Sequence, residues 1–255
     1  MKKYVQFLLL AACSLQVSPS CFAAKSAAEY WDDAKDYVAS PFHWDGRDWL
    51  MAGGTAAGIA LASTADSSVR DHFAPAGEPA PGSTSKRDSV PLILMLGGTF
   101  ATGLLRSDDK LKGTGWDMGE AVVLSGVSAQ VFKLAFGRLR PSETTSPDHW
   151  GEGGASFPSG HVTAAFAAAQ VFADEMPRDQ WGWRVLAYTL AGATAYGRME
   201  GNAHWLSDTV AGAALGISTG RFVSNRDEDR KSRLSVFVSP WHGGAMVQFV
   251  VDTNQ

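Results

Sequence analysis

The chain has 255 residues, 45% hydrophobic and 19% charged, with 22 Lys+Arg against 26 Asp+Glu for a formal charge of −4 and a mean hydropathy of −0.08. Such a length supports a full core near the upper size of one domain, and the slightly acidic, near-neutral balance argues against a polytopic membrane protein and against a nucleic-acid binder. Collagen-like and disordered classes are excluded, and 27 glycines point to close helix packing or to loops that approach a ligand.

At the amino end, Met1, Lys2 and Lys3 precede the apolar run Val5–Ala12, and no charge appears from Tyr4 to Ala24. This is the pattern of an export signal, with cleavage expected after Ala23 because Cys21 and Ala23 flank Phe22 in a small-x-small arrangement. Removal of residues 1–23 takes away two lysines, both cysteines (Cys13 and Cys21) and no acid, leaving a charge of −6 and no thiol chemistry. Leu10-Ala11-Ala12-Cys13 also resembles a lipoprotein box with Cys13 acylated. A retained anchor is disfavoured by Pro19 and the serines around it.

Tyr30, Trp31, Ala34, Tyr37 and Val38 repeat at helical spacing within 27–39 and stop before Pro41, predicting a short N-terminal helix. Six apolar, Gly/Ala-rich segments follow, at 49–65, 89–105, 121–136, 162–173, 185–196 and 209–220. The two longest charge-free windows, 49–65 and 89–105, fall short of the roughly 20 apolar residues of a spanning helix. The fold class expected is therefore all-α: a soluble bundle of about six core helices plus the N-terminal helix. Segments 74–88 and 141–157, rich in Pro, Gly and Ser, are expected as loops. The run Ser224–Arg233 is expected as a solvated charged linker, and the β-favouring segments around Pro240–Gly244 as a C-terminal β-hairpin. The division is residues 1–23 signal peptide, 24–225 helical domain, and 226–255 linker and hairpin tail.

Three motifs carry the chemistry. Lys133 and Arg140 are seven apart, two helical turns, so both cations are expected on one face before Pro141 ends the helix. In Phe157-Pro158-Ser159-Gly160-His161, Ser159 is a good N-cap and Gly160 admits a close ligand, so the start of the next helix would offer an anion its amides and dipole, with His161 alongside. In the third, His204 and Asp208 are four apart, so a carboxylate can fix the tautomer of an imidazole and leave its other nitrogen nucleophilic. Arg198 adds a fork of donors suited to phosphate oxygens. Taken singly, each has an ordinary structural reading: a solvated basic edge, a polar helix start, a common i,i+4 pair.

Together, Lys-x6-Arg-Pro, Pro-Ser-Gly-His and Arg-x5-His-x3-Asp resemble the type 2 phosphatidic acid phosphatase superfamily, which includes class A acid phosphatases, lipid phosphate phosphatases and vanadium haloperoxidases. The resemblance covers roughly residues 116–221. Gly197 departs from it, standing where the family usually has Ser before the arginine of the third motif, which puts a secondary contact in doubt.

The resemblance implies His204 as nucleophile, Asp208 as its orienting acid and His161 as the general acid that protonates the departing alkoxide. Lys133, Arg140 and Arg198, with Ser159 and the amide of Gly160, would bind the nonbridging oxygens. It implies a metal-independent phosphatase without a cofactor, acting on phosphate monoesters, lipid phosphates among them. A vanadium-dependent haloperoxidase and a non-enzymatic phosphate- or lipid-binding envelope protein are the alternatives. The expected setting is the periplasm or the exterior, with a phosphorylated small molecule or lipid as partner, no nucleic acid, and peripheral membrane contact left open. His43, His72, His149 and His242 read as surface or structural residues, although His149 and Trp150 lie in a loop between two motifs and could line the substrate entrance.

Overall fold

A computed structural model describes residues 25–74, 89–241 and 244–251, with side chains described as far as residue 226. The expected signal peptide with Cys13 and Cys21, most of the 74–88 loop, and His242 lie outside the described residues. Among the described residues there are eight α-helices: α1 Ala27–Ala39, α2 Gly46–Ser63, α3 Asp66–Phe73, α4 Val90–Leu105, α5 Asp109–Phe136, α6 Gly160–Glu175, α7 Trp181–Glu200 and α8 Leu206–Arg233. The backbone of Leu234–Trp241 (β1) and Gly244–Val251 (β2) is extended, with Leu234 opposite Val251 in antiparallel register.

Local chemistry explains most boundaries. Reciprocal capping boxes start α1, from Ser26 and Glu29, and α2, from Asp45 and Asp48. The chain leaves α1 through a 3-10 turn that contains Pro41. Asp108 caps α5 by accepting the Leu111 amide, and Gly137, with φ of +53°, closes it in the left-handed conformation.

Helix α6 is the centre of the bundle. Its residues Val162, Ala165, Ala167, Ala168, Ala169 and Val171 are fully buried, and Gln170 is held there by Tyr188 and Asp174. Helix α8 lies on α6 at backbone contact because Gly212, Gly216 and Gly220, spaced one turn apart, present no side chain. A Cβ on Gly216 would collide with the Thr163 carbonyl oxygen, and one on Gly212 would stand 2.8 Å from that of Ser159. The N-terminal segment is fastened by a buried ion cluster in which Lys25 Nζ lies 3.3 Å from Asp33, 3.2 Å from Asp117 and 2.5 Å from Glu120. Burial, opposed by Lys25 and reinforced by Asp33, raises the Glu120 pKa to about 7.

Three expectations need correction. The charged run 224–233 is not a separate linker but the last turns of α8, where Arg226 pairs with Asp33 and Asp36 of α1. The short helix α3 went unread because only two of its eight residues, Val69 and Phe73, are apolar, and its buried side chains, Asp66 and Arg70, are charged. The apolar helices are also less enclosed than a soluble core requires. Leu50 and Leu61 of α2, Ile93 and Leu94 of α4, and Val123, Val127, Val131 and Leu134 of α5 are all exposed. Lack of charge marked these segments as apolar, but only one side of each packs against the bundle. Among the described residues one helix, α5, is long and apolar enough to cross a membrane by length and composition.

Because the α6 and α8 backbones touch, Gly216→Ala is expected to lower unfolding stability by about 1–3 kcal/mol through overpacking. Chemical denaturation of the two proteins measures this, and an unchanged midpoint would contradict the contact.

Candidate active site

The three motifs converge at the amino ends of α6 and α8. The chain leaves α7 through a tight turn at Gly201–Ala203, in which Asn202 has φ of +49°. His204 therefore sits two residues before α8 rather than on it, and Asp208 lies in the first turn of α8. Asp208 accepts the Trp205 amide at 2.9 Å, the reciprocal half of a capping box.

His204 is buried, and its Nδ1 lies 2.7 Å from the carbonyl oxygen of Ser156. A carbonyl can only accept, so Nδ1 carries the proton and the lone pair of the neutral ring is on Nε2. Asp208 Oδ2 is 3.7 Å from Nδ1, an electrostatic distance rather than a hydrogen bond. The sequence-based expectation gave tautomer control to Asp208; in the structure the direct partner is the Ser156 carbonyl, with Asp208 behind it. Burial lowers the His204 pKa to about 4; Asp208 opposes this, and the charges of Lys133 and Arg198 reinforce it. For Asp208 itself, burial raises the pKa, but His204, Arg138 and Ser156 together outweigh that and hold it below its ordinary value.

Of the expected anion ligands, Lys133 and Arg198 act on this ring through their charges. Lys133 Nζ donates to the carbonyls of Ala155 at 2.5 Å and Ser156 at 3.5 Å. A Cβ on Gly160 would stand 3.9 Å from Lys133 Cε, which places the Lys133 side chain over the start of α6. Burial and the neighbouring charges of Arg140 and Arg198 lower the Lys133 pKa to about 8, against a raising effect from Asp208. Arg198 is buried in the last turn of α7. His161 is half-buried as the second residue of α6. Ser159 is the N-cap of α6 by position, yet its side chain makes no capping bond. Its hydroxyl oxygen is buried without a hydrogen-bond partner, while its amide donates to the Asp208 carbonyl at 3.0 Å. An orphaned buried hydroxyl costs about 1–3 kcal/mol, and an anion at this helix start would satisfy it.

Lys133 and Arg140 do not share a helical face as expected. Helix α5 ends at Phe136, and the chain after Gly137 returns along the 149–156 segment through bonds from Leu139 to His149, from Gly154 to Gly137 and from Ser156 to Arg138. A Cβ on Gly154 would collide with the Arg138 carbonyl, so this return requires glycine. Arg140 is thus delivered by a loop. A narrow crevice beside His204 is bounded by Pro141, Met199, Asn202 and the α3 residues Asp66, Arg70 and Phe73.

Four residues around the site were not singled out from sequence: Ser156, Arg138, Asp66 and Ser207. Arg138, inside the first motif, is fully buried. It donates to Asp208 at 2.6 Å, Ser207 at 2.8 Å, Asp66 at 2.7 Å and the Pro147 carbonyl at 2.9 and 3.0 Å. Trp150 and Trp205 cover it, with ring centroids 4.4 and 5.4 Å from Cζ. The motif spacing could have drawn notice to Arg138 and Ser156, whereas nothing local marked Asp66. At the rim, Phe132, Phe136, Trp150 and Phe157 form a continuous aromatic cluster with centroid separations of 5.1–6.1 Å; Trp150 belongs to the loop expected at the entrance, and His149 pairs with Glu152 there.

A family model described as the PAP2 superfamily matches residues 114–231. The lipid A 1-phosphatase of Porphyromonas gingivalis is 40% identical over 100 residues, 39% of this chain and 20% of that protein, so the chain spans about a fifth of that relative's length. The crystal structure of Aquifex aeolicus LpxE is a structural neighbour at 20% identity, covering 66% of this chain and 92% of that one with a TM-score of 0.41. The match runs from the second turn of α5 nearly to the end of α8, and over that stretch the chain is similar to the PAP2 superfamily.

Proposed function

We propose that this chain is a metal-independent phosphatase that hydrolyses phosphate monoesters of lipids through a phosphohistidine. The observation that carries the reading is the buried neutral imidazole of His204, its Nδ1 proton held by the Ser156 carbonyl, in the field of Lys133 and Arg198. In this mechanism Nε2 attacks phosphorus in line, the P–O ester bond breaks, and His161 gives the departing alkoxide its proton. Water, deprotonated by His161, then attacks phosphorus, the P–N bond breaks, and inorganic phosphate leaves with His204 restored. Lys133, Arg140 and Arg198 hold the nonbridging oxygens, joined by the Ser159 hydroxyl and the Gly160 amide, and so stabilise the charge of the transition state.

A lipid substrate is supported by the similarity to a lipid A 1-phosphatase, by the exposed apolar faces of α2, α4 and α5, and by the aromatic rim. An apolar surface of this extent suits contact with a bilayer better than water. The same proposal places the enzyme in the periplasm or outside the cell after loss of residues 1–23. It takes residues 24–225 as the helical domain, extended by the end of α8, and treats β1 and β2 as a C-terminal hairpin unit.

Phosphate release by the purified protein in EDTA, from a chromogenic ester and from lipid phosphate in vesicles, tests this directly. His204→Ala is expected to lower kcat roughly a thousandfold or more; full turnover by that variant, or turnover only on adding metal, contradicts the mechanism. Phe136→Ala is expected to lower kcat/KM about tenfold for the lipid with little change for the small ester; equal losses would remove the aromatic rim from substrate selection. Because kcat/KM follows the free enzyme, it should fall above pH about 8 as Lys133 loses its proton. In Lys133→Arg, whose guanidinium stays charged, the fall should move to higher pH.

A further inference from the structure

Arg138 has no phosphate to bind in the scheme above, yet it is the most heavily bonded side chain next to the nucleophile. Its Nη1 donates to Asp208 and Ser207, and its Nη2 donates to Asp66. Asp66 in turn accepts both the amide of Ser207 at 2.8 Å and its hydroxyl at 2.6 Å. The guanidinium, both carboxylates and Ser207 are all buried.

We propose that Arg138 is a positioning residue for the reaction: it holds Asp208 anionic and fixed behind His204, with Asp66 of α3 as the counter-ion that keeps the guanidinium in place. The inference rests on the reading of His204 as nucleophile. Asp208 is faced by Arg138 and the Ser156 hydroxyl on the loop, by the Trp205 amide at the start of α8, and by His204. Its Oδ1 meets Arg138, and its Oδ2 is shared between Ser156 and Trp205, so the carboxylate has no freedom to rotate. Ser156 also supplies the carbonyl that orients His204, so a carboxylate displaced by loss of Arg138 would disturb both supports of the ring.

Charge balance points the same way. Arg138 with Asp66 and Asp208 sums to one negative charge, and a phosphohistidine protonated at Nδ1 carries one positive charge on its ring. Among these three side chains and the ring alone, charge balances when the intermediate forms rather than at rest, which favours that state. Stability alone does not call for such a triad, since buried ion networks are often replaceable by apolar groups without loss. Lysine cannot substitute, because one ammonium lacks the fork that reaches both carboxylates.

The test uses Arg138→Gln, Arg138→Lys and the double variant Arg138→Gln/Asp66→Asn, which removes both members of one ion pair. Loss of an outer partner that orients a metal-binding histidine costs about ten- to a hundredfold; by analogy, roughly that fall in kcat is expected for both single variants, with KM little changed. The acid limb of kcat/KM should move to higher pH in Arg138→Gln, because Asp208 is then more easily protonated. The double variant is expected to recover the melting temperature but not kcat, and it carries the test if Arg138→Gln folds poorly. Recovery of kcat together with melting temperature, or an unchanged kcat and acid limb in folded Arg138→Gln, overturns the proposal. Failure of the underlying reading is separate, because it appears as undiminished phosphate release by His204→Ala.

Discussion

The site exists because two helix backbones can touch. Gly212, Gly216 and Gly220 remove the side chains that would hold α8 away from α6, and the amino ends of both helices consequently meet. The Ser159 amide bonds to the Asp208 carbonyl, which joins the second and third motifs through the main chain. Lys133, from the end of α5, then reaches over Gly160 and is anchored on the Ala155 and Ser156 carbonyls. A side chain at the glycine stripe would separate the anion cradle from the imidazole, however well each was preserved.

The electrostatics follow from that enclosure. A buried histidine beside several cations resists protonation, so His204 keeps its lone pair under mildly acidic conditions. The same cations repel one another, and with burial they bring Lys133 down to about 8. In the proposed reaction a bound phosphoryl group would relieve both costs. The buried Asp208 supplies the opposite charge to the ring, and it stays ionised because its oxygens meet Arg138, Ser156 and the Trp205 amide. In the proposed mechanism, anion site and nucleophile are thus prepared together, and the orphaned hydroxyl of Ser159 belongs to the same preparation.

The parts legible in the sequence were those governed by short-range rules. Helix α1, the cores of the larger helices, and the grouping of Lys133, Ser159, Gly160, Arg198, His204 and Asp208 follow from spacing, capping and motif resemblance. The end of α5 was misplaced because Pro141 is the obvious breaker, while the left-handed Gly137 stops the helix four residues earlier and sends Arg140 into a loop. The aim of His204 was assigned to the nearest acid in sequence; the real partner is a main-chain carbonyl 48 residues away, which carries no side-chain signature. Asp66 was out of reach altogether, since its pairing with Arg138 spans 72 residues and lies outside the family match. Absence of charge identified apolar helices, but it could not say how much of each surface the bundle would cover.

The most direct measurement is to quench the enzyme during turnover of a labelled phosphate monoester and locate the covalent phosphoryl group by peptide mass analysis under alkaline conditions, where phosphohistidine survives. The expected result is one acid-labile phosphoryl group on His204, lost in His204→Ala. A phosphoryl group on a different residue, or its persistence in that variant, would contradict the assignment of the imidazole and with it the role given to the surrounding cations.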